Sequence, residues 1–159
     1  MPLYDPHELG RTPAALHLVQ KIRECDGIVI ASPGYHGTIS GLIKNAVDYI
    51  EDLGRDERPY LSGRAVGCIG CGSGWQAAAS TLAGLRSIVH ALRGWPTPLG
   101  SMVNSTDAVF DGQGNCLNEQ VRAQTELIAE QVLEFTEMQH ALRLDGGTSC
   151  KPARAPAAG

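Results

Sequence analysis

Two short loops carry the residue types from which a cofactor site could be built. The first, at 32–37, reads Ser-Pro-Gly-Tyr-His-Gly. Gly34 and Gly37 remove side chains where a flat ligand could approach the backbone, and Pro33 stiffens the turn. Tyr35 offers a ring for stacking with its hydroxyl still able to bond, and His36 completes the loop. The second, at 70–74, reads Gly-Cys-Gly-Ser-Gly. It offers backbone N–H groups and the Ser73 hydroxyl, with Trp75 beside them. Other chemistries are poorly provided for. Five cysteines stand at 25, 68, 71, 116 and 150, and Cys68-Ile-Gly-Cys71 is formally a C-x-x-C. A redox dithiol would place that motif at a helix start. Cys68 instead falls in a strand-like run, so the two thiols point to opposite faces, roughly 10 Å apart, beyond disulfide reach. Both are expected to be buried or half-buried. No second cysteine pair or paired histidine completes a zinc set. The five histidines, at 7, 17, 36, 90 and 140, show no metal-ligand spacing, and no Ser-His-Asp arrangement is evident.

Both loops follow what reads as a strand. Thr12 as N-cap and Pro13 at the first helical position open a helix carrying Ala15, Leu18, Ile22 and Cys25 at helical spacing. Asp26-Gly27 ends it. Ile28-Val29-Ile30-Ala31 is a continuous apolar run, the mark of a strand covered on both faces. A loop at 32–38 then leads into a second helix, with Ile39, Leu42, Ile43, Ala46, Val47, Ile50 and Leu53 on one side. Residues 65–69 form a further short buried strand, and 75–92 a helix rich in Ala and Leu. Pro96 and Pro98 bracket a turn, 99–103 is a weaker strand, and 110–115 a turn cluster. A last helix spans about 118–144, with Val121, Ile128, Val132, Phe135 and Leu142 at helical intervals. Residues 145–159, rich in Gly, Ala and Pro, are expected to form a disordered tail.

The order α-β-α-β-α-β-α predicts an α/β fold, a doubly wound parallel sheet in three α/β/α layers, as one domain over 1–144. In such a sheet ligands sit outside the carboxyl ends of the strands, where both loops fall. The bulk properties agree with one globular domain: 159 residues, 43% apolar and 19% charged. A formal net charge of -4 and no basic block argue against nucleic acid or an anionic membrane as partner. No apolar run approaches the roughly 20 residues of a membrane span. The first residues lack the basic and apolar regions of a signal peptide, so the expected compartment is the cytoplasm. A response-regulator receiver fails for want of an acidic phosphoacceptor at a strand end.

The stretch from Ala31 to Tyr49, Ala-Ser-Pro-Gly-Tyr-His-Gly-Thr-Ile-Ser-Gly-Leu-Ile-Lys-Asn-Ala-Val-Asp-Tyr, closely resembles the signature of the NADPH-dependent FMN reductase family. That signature runs S-P-x-Y-[NH]-G-x-x-x-G-x-[LI]-K-N-x-x-D-[WY]. The family includes quinone, azo-dye and chromate reductases. The resemblance extends from Pro2-Leu-Tyr-Asp5 to about Leu144, taking in the Gly-Ser-Gly loop and the Phe110-Asp-Gly turn. It implies a flavodoxin-like sheet holding FMN at the strand ends. It also implies hydride transfer from NADPH or NADH, through the flavin, to FMN, a quinone or a similar small-molecule acceptor. Pro33, Gly34, Tyr35, His36 and Gly37 would wrap the isoalloxazine ring; Cys71, Gly72, Ser73, Gly74 and Trp75 would border its pyrimidine side. His36 fills a position where backbone matters more than side chain, and it is not read as a catalytic base. No catalytic side chain is expected, because hydride transfer to a flavin needs no protein nucleophile. The helix bearing Lys44, Asn45 and Asp48 would be structural, with Lys44 and Asp48 an ordinary i, i+4 pair. In this family it often lies at the interface of a homodimer or homotetramer.

Family members place a strand, a phosphate-binding loop, a helix and a second strand before the Pro-Leu-Tyr-Asp segment, which here begins at residue 2. The expectation is therefore a flavodoxin-like domain lacking the first βαβ segment, through a late start, as a fragment, or as a real short protein completed by a partner. In the strand order 2-1-3-4-5, the first strand would lie beside 28–31. Its loss would leave an open sheet edge and remove the helix-N-terminal phosphate site. The alternatives are a non-enzymatic flavodoxin-like electron carrier and an inactive fragment without the phosphate loop. Short loops argue against the carrier, which usually shields the ring with aromatics and is more acidic.

Overall fold

Thr12 accepts a hydrogen bond from the Ala15 N–H at 3.4 Å and Pro13 follows it, so helix α1 (Pro13–Glu24) begins where the capping chemistry requires. The computed structural model describes residues 1–8 and 10–144; the tail expected at 145–159, with Cys150, lies outside the described residues. After α1 come strands β1 (Gly27–Tyr35) and β2 (Thr38–Ile39), helix α2 (Gly41–Asp48), a 3-10 turn (Tyr49–Leu53) and strand β3 (Ala65–Gly72). Helix α3 (Trp75–Ala91), strands β4 (Trp95–Pro96) and β5 (Ser101–Asn104), and helix α4 (Glu119–Leu144) complete the order.

β3 is central. It pairs in parallel with β1 from Gly27 opposite Ala65 to Pro33 opposite Cys71. Its other edge carries β4 at Ala65 and Val66, then β5 from Ile69 to Gly72, both parallel. The third strand is thus split in two. Pro96, expected in a turn, instead pairs with Val66 in β4.

The alternation of side chains along β1 and β3 assigns the helices to two layers. Ile28, Ile30, Val66 and Cys68 pack with Ala15 and Val19 of α1, with Tyr49, Ile50 and Leu53 after α2, and with Leu85 and Val89 of α3. Leu53, Leu61 and Leu85 are fully buried there, so trimming any of them to Ala would cost about 2–5 kcal/mol. The opposite face turns Gly27 and Gly67 toward α4. A Cβ at either would lie 2.4 Å from Val132 or Ile128 respectively, so α4 sits directly on the sheet backbone. The three-layer, mainly parallel architecture expected from the alternation holds.

Three local expectations do not. The loop foreseen at 32–38 is mostly strand: β1 runs on to Tyr35 and returns antiparallel as β2, leaving only His36 and Gly37 at the tip. Their φ angles of 50° and 99° supply the reversal. The single helix foreseen across 39–53 is broken. Ile39 belongs to β2, Ser40 caps α2 by accepting from the Ile43 N–H at 3.2 Å, and the chain tightens into the 3-10 turn at Tyr49. Leu42, assigned to the apolar side, is 75% exposed. Finally, the run Ile28-Val29-Ile30-Ala31 is not covered on both faces, since Val29 and Ala31 are exposed.

The cause lies at the edge. Between Gly27 and Pro33 the described residues pair with β1 only on its β3 side, and β2 covers the other side only at Gly34 and Tyr35. An apolar groove of about 320 Å³ runs beside this edge, lined by Leu18, Ile22, Ile28, Ile30, Ile43 and Val47.

Residues before α1 are tied down by the signature helix. Asn45 accepts from the Tyr4 N–H and donates to the Pro2 carbonyl, each at 2.8 Å. Arg11 grips Asp52 through two nitrogens at 2.8 Å and lies over the Tyr4 ring at 4.7 Å. The Lys44–Asp48 pair forms as expected. Among the described residues no helix is long and apolar enough to cross a membrane.

Candidate cofactor site at the carboxyl ends of the strands

The pairing of Pro33 with Cys71 closes the β1–β3 ladder, so the two Gly-rich loops emerge side by side. Neighbouring strands lie about 4.8 Å apart, and the loops therefore share one rim. Ser32 sets the first of them. Its buried hydroxyl donates to the Pro33 carbonyl at 2.9 Å and accepts from the Ser40 N–H at 3.1 Å, pinning the hairpin to the start of α2. Pro33 lies on an edge strand, where a sheet tolerates a missing donor. Tyr35 projects from the hairpin with 61% of its surface exposed, and Trp75 opens α3 with 59% exposed. His36 is exposed at the tip.

The glycines divide into two kinds. A Cβ on Gly34 would meet Thr81 Oγ1 at 2.2 Å and the Ala77 carbonyl at 3.0 Å; one on Gly72 would meet Ala77 Cβ at 2.7 Å. These two let α3 close onto the sheet, and Gly34 is thus not the opening for a ligand that its place in the loop suggested. Among the described residues Gly37 and Gly74 have nothing within 4 Å of an added Cβ, and their φ angles of 99° and 98° favour glycine for the backbone alone. They border open space at the rim.

Ser73 is exposed between Gly72 and Gly74. Among the described residues no side chain caps α3 at Gly74, which leaves first-turn N–H groups without a side-chain acceptor from them. The Gly74 N–H itself donates to Asn104 Oδ1 at 2.9 Å. Asn104, at the end of β5, is the rim residue that the sequence reading passed over. Its signal was an Asn followed by Ser-Thr-Asp directly after a strand-like run, a polar turn pattern at a third strand end.

Cys71 reaches the rim only through its backbone. Its side chain, half-buried, lines an apolar cavity of about 400 Å³ on the α4 face with Ala31, Ile69, Val103, Phe110 and Cys116. Burial raises the Cys71 thiol above its usual range and pushes Cys68, on the opposite face, up to about 11. Both are free, as are Cys25 and Cys116, and neither is the activated thiolate of a redox pair. The turn after β5 is structural: Asp111 accepts from the Gln113 N–H at 2.9 Å and from Asn115 through N–H and Nδ2, which hold its carboxyl below the usual range.

Residues 1–108 match the family described as NADPH-dependent FMN reductase. The chain belongs to that family. A relative in it is the FMN-dependent NADPH-azoreductase of Staphylococcus saprophyticus, 34% identical over 122 residues, covering 76% of this chain and 61% of that protein. Another is the NAD(P)H-dependent FMN reductase of Pseudomonas aeruginosa, 31% identical over 135 residues, 83% of this chain and 70% of that one. This FMN reductase-family chain thus spans about three fifths of the azoreductase's length. Among solved structures, FerB, a flavoenzyme NAD(P)H:(acceptor) oxidoreductase from Paracoccus denitrificans, superposes with a TM-score of 0.65 at 19% identity, over 89% of this chain and 76% of that one. An oxidoreductase from Corynebacterium diphtheriae superposes with a TM-score of 0.59 at 17% identity, over 83% and 65%. Both likenesses bear on the fold, which is flavodoxin-like.

Proposed function

We propose that the rim formed by residues 33–37 and 71–75 receives the isoalloxazine ring of FMN, and that the protein works as an NAD(P)H-dependent oxidoreductase. The observation that carries this reading is the Pro33–Cys71 pairing, which sets two open, Gly-containing loops and two exposed aromatic side chains on one edge. A flat, uncharged ring system suits such a place. Gly37 and Gly74 leave its approach clear, Tyr35 and Trp75 offer aromatic surface, and loop N–H groups offer donors to the polar edge of the ring. Held by residues 33–37 and 71–75, FMN would supply the hydride-transfer chemistry between nicotinamide and acceptor. The protein's part is to place the ring and keep its environment fixed. Residues 1–144 would belong to the flavin-binding domain. The acceptor is proposed to be a small oxidised molecule such as a quinone, an azo dye or a second flavin. A homodimer or homotetramer in contact through the Lys44–Asp48 helix is part of the same reading.

The test is steady-state oxidation of NADPH and of NADH by the purified protein supplied with FMN, with and without a quinone. Flavin-dependent loss of nicotinamide absorbance supports the proposal. A protein that binds FMN yet oxidises neither nicotinamide supports an electron carrier in its place.

A further inference from the structure

We infer that Asn104 is the positioning residue of the second loop, holding the backbone at Ser73 and Gly74 in the shape offered to the flavin ring; the inference rests on the flavin reading above. Asn104 Oδ1 accepts three hydrogen bonds, from the Gly74 N–H at 2.9 Å, the Thr106 N–H at 3.2 Å and Thr106 Oγ1 at 2.9 Å. Two of these donors are backbone N–H groups, which cannot accept, so the atom facing them is the amide oxygen and not the nitrogen. Asn104 is itself fixed. It is the last residue of the β3–β5 ladder, opposite Gly72, and the next N–H, of Ser105, donates to the Gly72 carbonyl at 2.9 Å.

The Gly74 carbonyl accepts from the Ala78 N–H at 3.2 Å, but its φ is 98°, and among the described residues an added Cβ would meet nothing within 4 Å and no side chain caps α3 there. A glycine so placed has more accessible backbone states than any other residue type. The bond to Asn104 spans 30 residues of sequence and ties this loop to the rigid end of a neighbouring strand. Through Thr106 the same oxygen also orders the turn after β5. One side chain thus links two strand-end loops.

The experiment uses the full 159-residue chain and compares Asn104→Ala with Asn104→Asp. Aspartate keeps an oxygen that can accept all three bonds; alanine keeps none. Amide hydrogen exchange is followed residue by residue without ligand, and FMN affinity is measured by quenching of flavin fluorescence. Asn104→Ala is expected to speed exchange at Gly74 and Thr106 about tenfold, leave the β1–β3 ladder amides of Ile30 and Ile69 unchanged, and weaken FMN binding about tenfold. Asn104→Asp is expected to restore protection at Gly74 and most of the affinity. Unchanged exchange at Gly74 in Asn104→Ala overturns the inference, as does lost protection with undiminished FMN affinity. Faster exchange throughout the ladder overturns it too, since the residue would then serve overall stability. If the unaltered chain fails to bind FMN, the flavin reading falls and this role falls with it, while exchange at Gly74 still shows whether Asn104 holds the loop.

Discussion

Replacing Gly34 by alanine separates packing from cofactor contact within one loop. The new Cβ would sit 2.2 Å from Thr81 Oγ1, roughly an ångström inside van der Waals contact. Thr81 cannot swing aside freely, for it is fully buried and its hydroxyl donates to the Ala77 carbonyl at 2.8 Å. Either α3 or the end of β1 must move. Overpacking of this kind costs about 1–3 kcal/mol. Thr81→Ala alone removes a buried methyl and a hydrogen bond, roughly 1–2 kcal/mol. In the double variant the nearest remaining atom is the Ala77 carbonyl oxygen at 3.0 Å, which needs only a few tenths of an ångström of adjustment. The double variant should therefore be more stable than the sum of the single effects predicts, with a coupling of about 1–2 kcal/mol. Urea unfolding of the four proteins measures it. Gly37→Ala is the contrast. It pays for a positive φ of 99° with no described residue nearby, so Thr81→Ala should give no relief. A Gly34→Ala protein of normal stability that loses only FMN binding would refute the packing argument, as would additive losses in the double variant.

Asp26 lies beside Arg58 Nη1 at 2.8 Å and His140 Nε2 at 3.3 Å. Burial raises its carboxyl pKa, but the hydrogen bond and charge of Arg58, with His140, outweigh this and hold it below the usual range. A carboxyl depressed in the folded state stabilises above its unfolded pKa of about 3.9 and loses that contribution as pH falls through the lower, folded value. Because the side chain is 36% exposed, the gain is screened. Asp26→Asn should cost about 1 kcal/mol at pH 7, shrinking in urea titrations as the pH falls through the lowered folded value; a cost that does not vary with pH contradicts the assignment. Cys68, fully buried and with its thiol raised to about 11, should be about one part in a thousand thiolate at pH 8. Native alkylation by iodoacetamide, mapped by mass spectrometry, should therefore label Cys68 last, and early labelling there would contradict its burial.

Capping and periodicity made the long elements legible. Thr12-Pro13 marked the start of α1, and the Ala- and Leu-rich stretch from Trp75 marked α3, because each extends over enough turns for a 3.6-residue repeat to declare itself. The two-residue strands were not legible for the converse reason. Trp95–Pro96 and Thr38–Ile39 are too short for any alternation, and both lie beside Gly or Pro, which reads as turn. The break at Tyr49 escaped notice because Ile50 and Leu53 stay on the apolar side as the helix tightens. Exposure of Leu42, Val29 and Ala31 depends on what lies beside β1, which hydrophobicity alone does not reveal. At the site, the two loops and their position at strand ends were legible. The division of glycines was not, because whether Gly34 faces a helix or open space is decided by α3, some forty residues further along. Asn104 was hidden for the same reason: its partner Gly74 is a neighbour only through the β3–β5 register.

The account turns on the claim that the two loops together receive a flavin ring, and Trp75 reports on that directly. Trp95→Phe, at an exposed position packed on Phe135, leaves Trp75 as the sole indole. Titrating that protein with FMN should quench Trp75 emission saturably, at one flavin per chain, with flavin fluorescence falling in step. No saturable quenching, or quenching seen only when Trp95 is retained and Trp75 is replaced, would contradict it.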